Sequence, residues 1–308
     1  MKIFVTGATG FIGSAIVPEL INAGHQVLGL ARSDAGAKSL AAAGADIHRG
    51  SLEDLESLRS GAAVADAVIH TAFIHDFSKF RENCETDRRA IEALGSALAG
   101  SNRLLIVTSG TGMADPTPGR LATEEDAPYS GPGAIPRVAS EEAAASVAAG
   151  GARVAVVRLP QVHNAENQGL VTYAIAVARE KGVSIFVDRG ENRWPAVHVL
   201  DAARLYRLVL EKGAAGGRYH AVAEEGVSFR EIAQAIGRRV NVPVVSKSPE
   251  QAAEHFGWLA PFVLMDSPAS SEQTRELLGW RPTESGLISD LDAVQYLEPG
   301  TDRAVAAR

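Results

Sequence analysis

The chain has 308 residues, of which 46% are hydrophobic and 22% charged, and its formal net charge is −7. This composition is typical of a soluble globular protein with a large core, and the acidic balance argues against a nucleic-acid or membrane-surface partner. The single cysteine, Cys84, excludes an intrachain disulfide and a cysteine-rich zinc site. No apolar run reaches the length of a membrane span, and no signal peptide precedes the first predicted strand. We therefore expect a cytoplasmic protein.

The N-terminal stretch MKIFVTGATGFIGS predicts a nucleotide site. Residues 2–6 are a short apolar run typical of a buried strand, and apolar residues recur with helical period over 11–23. Between them stand Gly7, Gly10 and Gly13. The first glycine allows a tight turn, the second lets backbone N–H groups approach a pyrophosphate, and the third lets the helix pack closely. The positive end of the helix dipole then faces the phosphates.

This spacing, TGATGFIG over residues 6–13, resembles the extended and atypical short-chain dehydrogenase/reductase superfamily, which includes NAD-dependent epimerase/dehydratase-like proteins. The resemblance covers nearly the whole chain. It implies an α/β fold with a Rossmann-type doubly wound parallel sheet and a smaller C-terminal α/β substrate-binding part. It also implies that the turn binds a nicotinamide cofactor through Gly7, Thr9, Gly10, Phe11, Ile12 and Gly13.

The second predicted strand, residues 26–31, ends at Arg32 and Ser33. An NAD-selective site places Asp or Glu at this point against the ribose 2′-hydroxyl, whereas a basic residue accommodates a 2′-phosphate. Arg32 and Ser33 therefore favour NADP(H). The alternative is a solvated loop arginine, with Asp34 as the ribose-binding acid displaced by two positions.

Further strands are predicted at 45–49, 67–71, 104–108 and 154–159, and their alternation with helices is typical of a doubly wound parallel sheet. In the resembled family the loops after such strands pass the cofactor. The resemblance implies contacts from Ser51, Leu52, Thr71, Ala72, Phe73, Pro160 and Val162. Ser51 also fits a helix N-cap, since two acidic residues follow it. His70 is expected to lie at the edge of the core.

In the resembled family, a Ser or Thr after the fifth strand and a Tyr-x-x-x-Lys motif on the next helix carry the proton chemistry. Residues 108–111 match that strand end, with a glycine where many members have the serine. Ser109 or Thr111 is then the candidate hydroxyl, although either could instead cap a turn. The aligned helix has Gly133 in place of the tyrosine and Arg137 in place of the lysine. The Tyr-x-x-x-Lys motif is therefore absent.

Arg137 resembles the arginine of an atypical subgroup that carries His-x-x-x-Arg at this position. Its guanidinium can hold the cofactor ribose or an anionic substrate, but it cannot donate a proton at neutral pH. The alternative is a surface pair with Glu141 one turn on. A proton donor must then come from elsewhere, and the candidates are Tyr129, His75, His163 and a water. The alternative for His163 is a loop histidine bonded to backbone.

Residues 1–163 are predicted to form the NADP-binding Rossmann domain and residues 164–298 mostly the substrate-binding part, with 299–308 as a tail. A segment near 195–222 is expected to return to the Rossmann core. Arg193 with Trp194 could line the substrate pocket. A cluster of Trp258, Phe262 and Met265 could close a pocket, bury a partner surface or pack in the core.

The predicted function is an NADP(H)-dependent oxidoreductase that moves hydride to or from a small carbonyl, alcohol or conjugated substrate with a non-standard proton donor. The first alternative is an NADP-binding redox sensor or regulatory module without turnover. A weaker one is an epimerase or dehydratase with a tightly bound cofactor. The expected partner is a small-molecule substrate, with no nucleic acid, membrane or metal, and both a monomer and a homodimer fit the sequence.

Overall fold

The computed structural model describes residues 1–116, 119–130 and 134–293. Its central sheet consists of β1 (Lys2–Thr6), β2 (Gln26–Ala31), β3 (Asp46–Arg49), β4 (Ala67–His70), β5 (Leu104–Gly110), β6 (Arg153–Leu159) and β10 (Arg218–His220). Neighbouring strands are all parallel, in the order β10-β6-β5-β4-β1-β2-β3. The order reverses between β1 and β4, which is where doubly wound sheets open a crevice for ligands. The predicted Rossmann-type sheet is confirmed.

Helices cover both faces of the sheet: α1 (Gly13–Asn22), α2 (Asp34–Ala42), α3 (Leu55–Ala63), α4 (Phe80–Leu98), α5 (Ala139–Ala149) and α7 (Val199–Lys212). Successive residues of β1 point to opposite faces. Ile3 and Val5 pack in the core formed with α1, α2 and α7, whereas Phe4 packs in the core formed with α3, α4 and α5. Both faces are buried, which explains why the strands read as continuous apolar runs. We call this unit the main lobe.

The small lobe has a core of its own. Its elements are α6 (Leu170–Lys181), β8 (Ser184–Val187), β9 (Arg193–His198), β11 (Glu224–Ser228), α8 (Phe229–Val240), β12 (Val244–Lys247), α9 (Pro249–Phe256), α10 (Ala260–Val263) and α12 (Leu287–Ala293). The helix α11 (Glu272–Leu278) instead packs on the main lobe, with Leu278 in its core. β9 pairs with β11 and with β7 (Gln161–His163), and β8 pairs with β12. Trp194 packs edge-on against Phe229 in the small-lobe core, with ring centres 5.1 Å apart.

The chain crosses between the lobes more than once. After β9, α7 packs in the main-lobe core and β10 becomes the edge strand beside β6. The chain then returns to the small lobe at β11. The division at residue 163 stays a prediction, and the tail predicted at 299–308 lies outside the described residues.

Two local features differ from expectation. β5 runs two residues further than predicted, to Gly110, because it pairs with β6 up to that residue. The cap of α3 is Asp54, whose carboxylate accepts from Ser57 N at 3.1 Å, so the interpretation of Ser51 as the N-cap was wrong. In the described part of the chain, no helix is long and apolar enough to cross a membrane.

Candidate active site

The turn between β1 and α1 has room only for glycine at its two ends. Gly7 has a φ of 70°, and a Cβ there would lie 2.6 Å from Ala72 N. A Cβ on Gly13 would lie 2.1 Å from the Gly7 carbonyl oxygen. Gly10 N closes the turn onto that same oxygen at 2.9 Å. The small turn brings the N-terminus of α1 to the crevice, a geometry that fits the phosphates of a dinucleotide.

The other turn residues predicted to bind cofactor lie along the same entry to α1. Thr9 is exposed, and Phe11 and Ile12 are half-buried against the main-lobe core. Ile12 is the residue immediately before the first turn of α1. The predicted pyrophosphate contacts are therefore grouped at one place in the fold.

The end of β2 carries positive charge. Arg32 is exposed, and Ser33 caps α2 by accepting from Gly36 N at 3.1 Å. Asp34, the displaced acid of the alternative interpretation, is paired with Arg49 at 2.5 Å. The Asp34 carboxylate is thus paired with an arginine at the end of the neighbouring strand β3.

The loops after β3 and β4 lie at the carboxyl edge of the sheet, as predicted. Ser51 Oγ accepts from Asp54 N at 3.3 Å, and Leu52 packs against the main-lobe core. The Thr71 hydroxyl donates to the Thr6 carbonyl at 2.8 Å, so the loop stays beside the glycine turn. The half-buried Phe73 follows, and the exposed His75 packs edge-on against it, with ring centres 5.3 Å apart.

A chain of buried polar groups begins next to this loop. The Thr6 hydroxyl lies 2.7 Å from His70 Nδ1, and His70 Nε2 lies 3.0 Å from Asp87 Oδ1. A carboxylate can only accept, so His70 Nε2–H donates to Asp87, and in the neutral imidazole Nδ1 then accepts from the Thr6 hydroxyl. The other Asp87 oxygen accepts from Arg137 Nη1 at 2.7 Å and from the Ser140 hydroxyl at 2.5 Å. His70 therefore lies inside this network rather than at the core edge.

Asp87 is fully buried and ionised. Burial raises the pKa of this carboxyl, but the charge of Arg137 and the hydrogen bond from His70 outweigh burial and hold the pKa below its ordinary value. An unpaired charge at this depth would be strongly disfavoured. Asp87 and Arg137 therefore depend on each other.

Arg137 is fixed in orientation by three contacts. It lies on a short 3-10 turn, Pro136–Val138, directly before α5. Besides the bond to Asp87, its Nη2 donates to the Thr108 carbonyl at 3.2 Å, and its guanidinium lies 4.3 Å from the centre of the Phe73 ring. The side chain is thus held between the strand ends of β4 and β5. A pre-oriented permanent cation of this kind can stabilise negative charge that develops during a reaction.

The alternative partner proposed for Arg137 was wrong. Glu141 instead binds Arg158 through two hydrogen bonds of 2.8 Å, and both side chains are buried. The Ser109 hydroxyl donates to the same carboxylate at 2.7 Å. Ser109 is therefore bonded inside the main lobe, which removes its hydroxyl from the candidates that face a ligand.

A cavity of about 360 Å³ lies between the two lobes. Its described lining residues are Thr111, Gly112, Met113, Ala114, Pro116, Gly119, Arg120, Ala122, Tyr129, Ile135, Val138, Arg193, Met265, Asp266, Ser267 and Pro268. Thr111 is buried, and Tyr129 is 37% exposed. The structure thus brings two of the predicted catalytic residues to one chamber with Arg193. Trp194 is buried in the small-lobe core instead, and Gly133 lies outside the described residues.

His163 lies elsewhere. It is fully buried on β7, and its Nδ1 is 2.7 Å from Asp290 Oδ2 on α12. Burial lowers the pKa of its imidazole, although Asp290 acts in the opposite direction. The structure does not bring it to the cavity, because its ring is packed against α12. Pro160 and Val162, which precede it, stay at the carboxyl end of β6 as predicted, with Val162 buried in the main core.

Asp87 is a site residue that was not predicted from the sequence. This residue lies four positions after Asn83 and four before Ile91, and all three are buried on one face of α4. A charged residue within the buried stripe of an amphipathic helix is a signal for a paired internal charge. The helical period of α4 therefore locates Asp87 on the buried face, but it does not identify the residues that pair with it.

Comparisons with known proteins agree with this geometry. The NAD dependent epimerase/dehydratase family matches residues 3–223. An uncharacterized protein of Schizosaccharomyces pombe is 50% identical over 96% of this chain and 100% of its own length. A UDP-glucose 4-epimerase of Streptomyces lividans is 26% identical over 96% of this chain and 95% of its own.

Solved structures share the fold. The UDP-glucose 4-epimerase of Thermotoga maritima, with UDP-glucose, superposes with a TM-score of 0.73 at 22% identity, covering 95% of this chain and 96% of that one. The dTDP-glucose 4,6-dehydratase of Streptomyces venezuelae, with NAD and TYD, gives 0.74 at 19% identity, covering 95% of each chain. With the glycine turn and the doubly wound sheet, these matches show that the chain belongs to the NAD-dependent epimerase/dehydratase family and is an NAD(P)-dependent enzyme.

Proposed function

We propose that this enzyme is an NADP(H)-dependent oxidoreductase acting on a small carbonyl or alcohol. When bound, NADPH supplies a hydride to the carbonyl carbon while the oxygen takes a proton, giving NADP⁺ and the alcohol. The residues of the chain bind and orient the reactants and stabilise the charge on the oxygen.

The observation that carries the choice of NADP(H) is the pair of arginines at the ends of β2 and β3. Arg32 is exposed at the position where an NAD-selective site has its acid, and Arg49 neutralises Asp34. A 2′-phosphate brings negative charge to this edge, whereas a ribose hydroxyl needs an acceptor. The local charge therefore supports NADP(H).

Arg137 is the residue we assign to the nicotinamide side. It stands where the resembled family has its lysine, and its three contacts fix the guanidinium plane. In this role it orients the ribose and stabilises the developing negative oxygen without transferring a proton.

Thr111 is the hydroxyl we assign to the substrate oxygen. It lines the inter-lobe cavity, whereas Ser109 is bonded to Glu141 and His163 is packed against α12. In this scheme, water in the cavity supplies the proton. Tyr129 is not assigned this role because it lies four residues before Gly133, the position of the catalytic tyrosine in the resembled family. Of the buried network around Asp87, the scheme uses only Arg137.

The test is NADPH oxidation followed by absorbance against aldehydes, ketones, quinones and enones, with NADPH binding measured by fluorescence in the same samples. Turnover with any class, faster with NADPH than with NADH, is the expected result. Tight NADPH binding without turnover across the panel would favour a binding module instead. Equal use of NADH and NADPH would contradict the role given to Arg32.

A further inference from the structure

The inter-lobe cavity contains two arginines that are already paired. Arg193 Nε and Nη2 bind the two oxygens of Asp266 at 3.1 and 3.0 Å. The same carboxylate accepts from Arg193 N at 2.7 Å, and Asp266 also lines the cavity. This is the two-pronged geometry in which a guanidinium binds a phosphate or carboxylate of a ligand. Asp266 therefore occupies the site that an anionic substrate would need.

The second arginine is paired in the same manner. Arg120 Nη2 binds Asp126 Oδ1 at 2.5 Å, and the other Asp126 oxygen accepts from Thr123 N at 2.7 Å and from its hydroxyl at 3.0 Å. Asp126 is thus anchored by the backbone of its own turn. Releasing Arg120 toward a ligand would leave this carboxylate without its cation.

The rest of the described lining is mostly apolar. It includes Met113, Ala114, Pro116, Ala122, Ile135, Val138, Met265 and Pro268. A volume of about 360 Å³ lies at the lower end of the range for small-molecule pockets. A nucleoside diphosphate needs unpaired cations or backbone donors for its phosphates. Neither guanidinium of the described lining meets that need.

We infer that the substrate is a compact, uncharged and largely apolar carbonyl compound rather than a nucleoside-diphosphate sugar, with Asp266 as the residue that excludes anions by holding Arg193. This inference rests on the proposed function, since it places the carbonyl of that reaction beside Thr111. An anionic analogue would have to displace Asp266 from Arg193 and leave two negative groups in one chamber.

The test uses two ketones that differ in one substituent, which is neutral in one and anionic in the other. 4-Phenyl-2-butanone and 2-oxo-4-phenylbutanoate share a phenylethyl ketone and carry a methyl or a carboxylate group on the carbonyl. Each is titrated calorimetrically into the protein saturated with NADP⁺, as is UDP. Saturation keeps UDP out of the cofactor site. NADP⁺ binding is measured first. A protein that does not bind NADP⁺ would contradict the proposed function, and this result is distinct from the outcome of the ketone titrations.

For the unaltered protein we expect the neutral ketone to bind at least about tenfold more tightly than the oxo acid, with no detectable binding of UDP. Asp266→Asn removes the competing charge and keeps the side-chain shape. In this variant, the oxo acid and UDP should each gain about tenfold or more, while the neutral ketone changes by less than about threefold.

The chain offers a matched control. Arg238 and Asp292 form the same two-pronged pair at 3.1 and 2.9 Å between α8 and α12, outside the cavity lining. Asp292→Asn should leave all three affinities unchanged. Tighter binding of the oxo acid or UDP than of the ketone by the unaltered, loaded protein would overturn the inference. So would failure of the ketone to bind, or an equal gain of anion affinity in Asp292→Asn.

Discussion

At the scale of single residues, Arg137 shows why a lysine would not serve in this site. Its planar guanidinium donates to Asp87 and to the Thr108 carbonyl while its face lies against Phe73. An ammonium group has no plane to stack and no fixed fork to make the two bonds in these directions. The guanidinium of Arg137 is thus held by a carboxylate on α4.

Replacing Asp87 tests this dependence. Asp87→Asn leaves Arg137 without its buried counter-ion and disturbs His70, so the free energy of unfolding should fall by about 3 kcal/mol, as for other broken buried pairs. Ser140→Ala removes one hydrogen bond to the same carboxylate and should cost about 1 kcal/mol. Urea denaturation near neutral pH measures both. Equal small losses would mean that the pair contributes little.

Arg32 decides the cofactor in the proposed function. Arg32→Ala should weaken NADPH binding by about tenfold or more, because a charged hydrogen bond to the 2′-phosphate is lost, and should leave NADH binding nearly unchanged. Fluorescence titration with both cofactors provides the comparison. Arg59→Ala, an exposed arginine on α3 paired with Glu56, is the control. Equal losses for the two cofactors would contradict the NADP assignment.

Tyr129 and Thr111 share the cavity but are expected to differ in importance. Tyr129→Phe should retain most activity, because the residue lies outside the catalytic register and on a loop. Thr111→Val keeps the shape and removes the hydroxyl, so kcat should fall by about tenfold or more. Steady-state kinetics of NADPH oxidation test the pair. A loss of several orders of magnitude in Tyr129→Phe would identify the tyrosine as the proton donor.

At the scale of elements, the glycines in the turn between β1 and α1 let the helix begin close to the strand, because they have no side chains. The Gly7 carbonyl oxygen accepts from Gly10 N, and it also lies where a Cβ of Gly13 would stand. A larger residue would push the first turn of α1 away from β1 and open the crevice.

Gly13→Ala should therefore destabilise the fold and weaken cofactor binding, since a contact of 2.1 Å to backbone cannot be relieved by a side-chain rotation. We expect a loss of about 1–3 kcal/mol in the free energy of unfolding. Gly150→Ala is the matched control, because this glycine has a φ of −77° and its nearest neighbour would be 3.4 Å away. If the two substitutions had the same effect, the close packing of the turn would not matter.

The bounds of helices and strands could be predicted from the sequence better than the side-chain contacts of the site. The strand β2 matches its predicted bounds, because its apolar run is a local signal. The engagement of Ser109 by Glu141 depends on the packing of α5 against β5, which no local pattern encodes. The contact of His163 with Asp290, which lies 127 residues further along the chain, could not be predicted for the same reason. The roles of Thr111 and Arg137 at the cofactor stay predictions.

At the scale of the whole molecule, polar contacts tie the edge strand β10 to the segment that leads from the small lobe into α11. His220, at the end of this strand, is fully buried, and its Nδ1–H donates to the Ser270 carbonyl at 2.8 Å. Thr274 on α11 accepts from His220 N at 2.8 Å and donates to Glu124 at 2.6 Å. The edge of the main sheet is thus tied to the segment that leads into α11.

His220 should make stability depend on pH. Burial and the charge of Arg158 lower its pKa from 6.5 to about 4. Between these values the unfolded chain binds a proton that the folded protein does not, so stability falls as the pH drops below 6.5. From about pH 7 to about pH 5, the loss should be about 2 kcal/mol.

The measurement is urea denaturation at both pH values for the unaltered protein and for His220→Gln, whose side chain can still donate to Ser270. The variant should be less stable near neutral pH but show a smaller decrease toward pH 5. An unchanged decrease in the variant would assign the pH dependence to other groups.

The position of β10 has a consequence for synthesis on the ribosome. α6 and β8 emerge before β10, and β11 to α12 emerge after it, so the nascent chain cannot finish either core before starting the other. Until residue 220 is available, β6 is an unprotected edge strand with open backbone groups. A nascent chain stalled shortly after β6 should therefore be prone to pair with other chains and to recruit chaperones until the last strand of the sheet arrives.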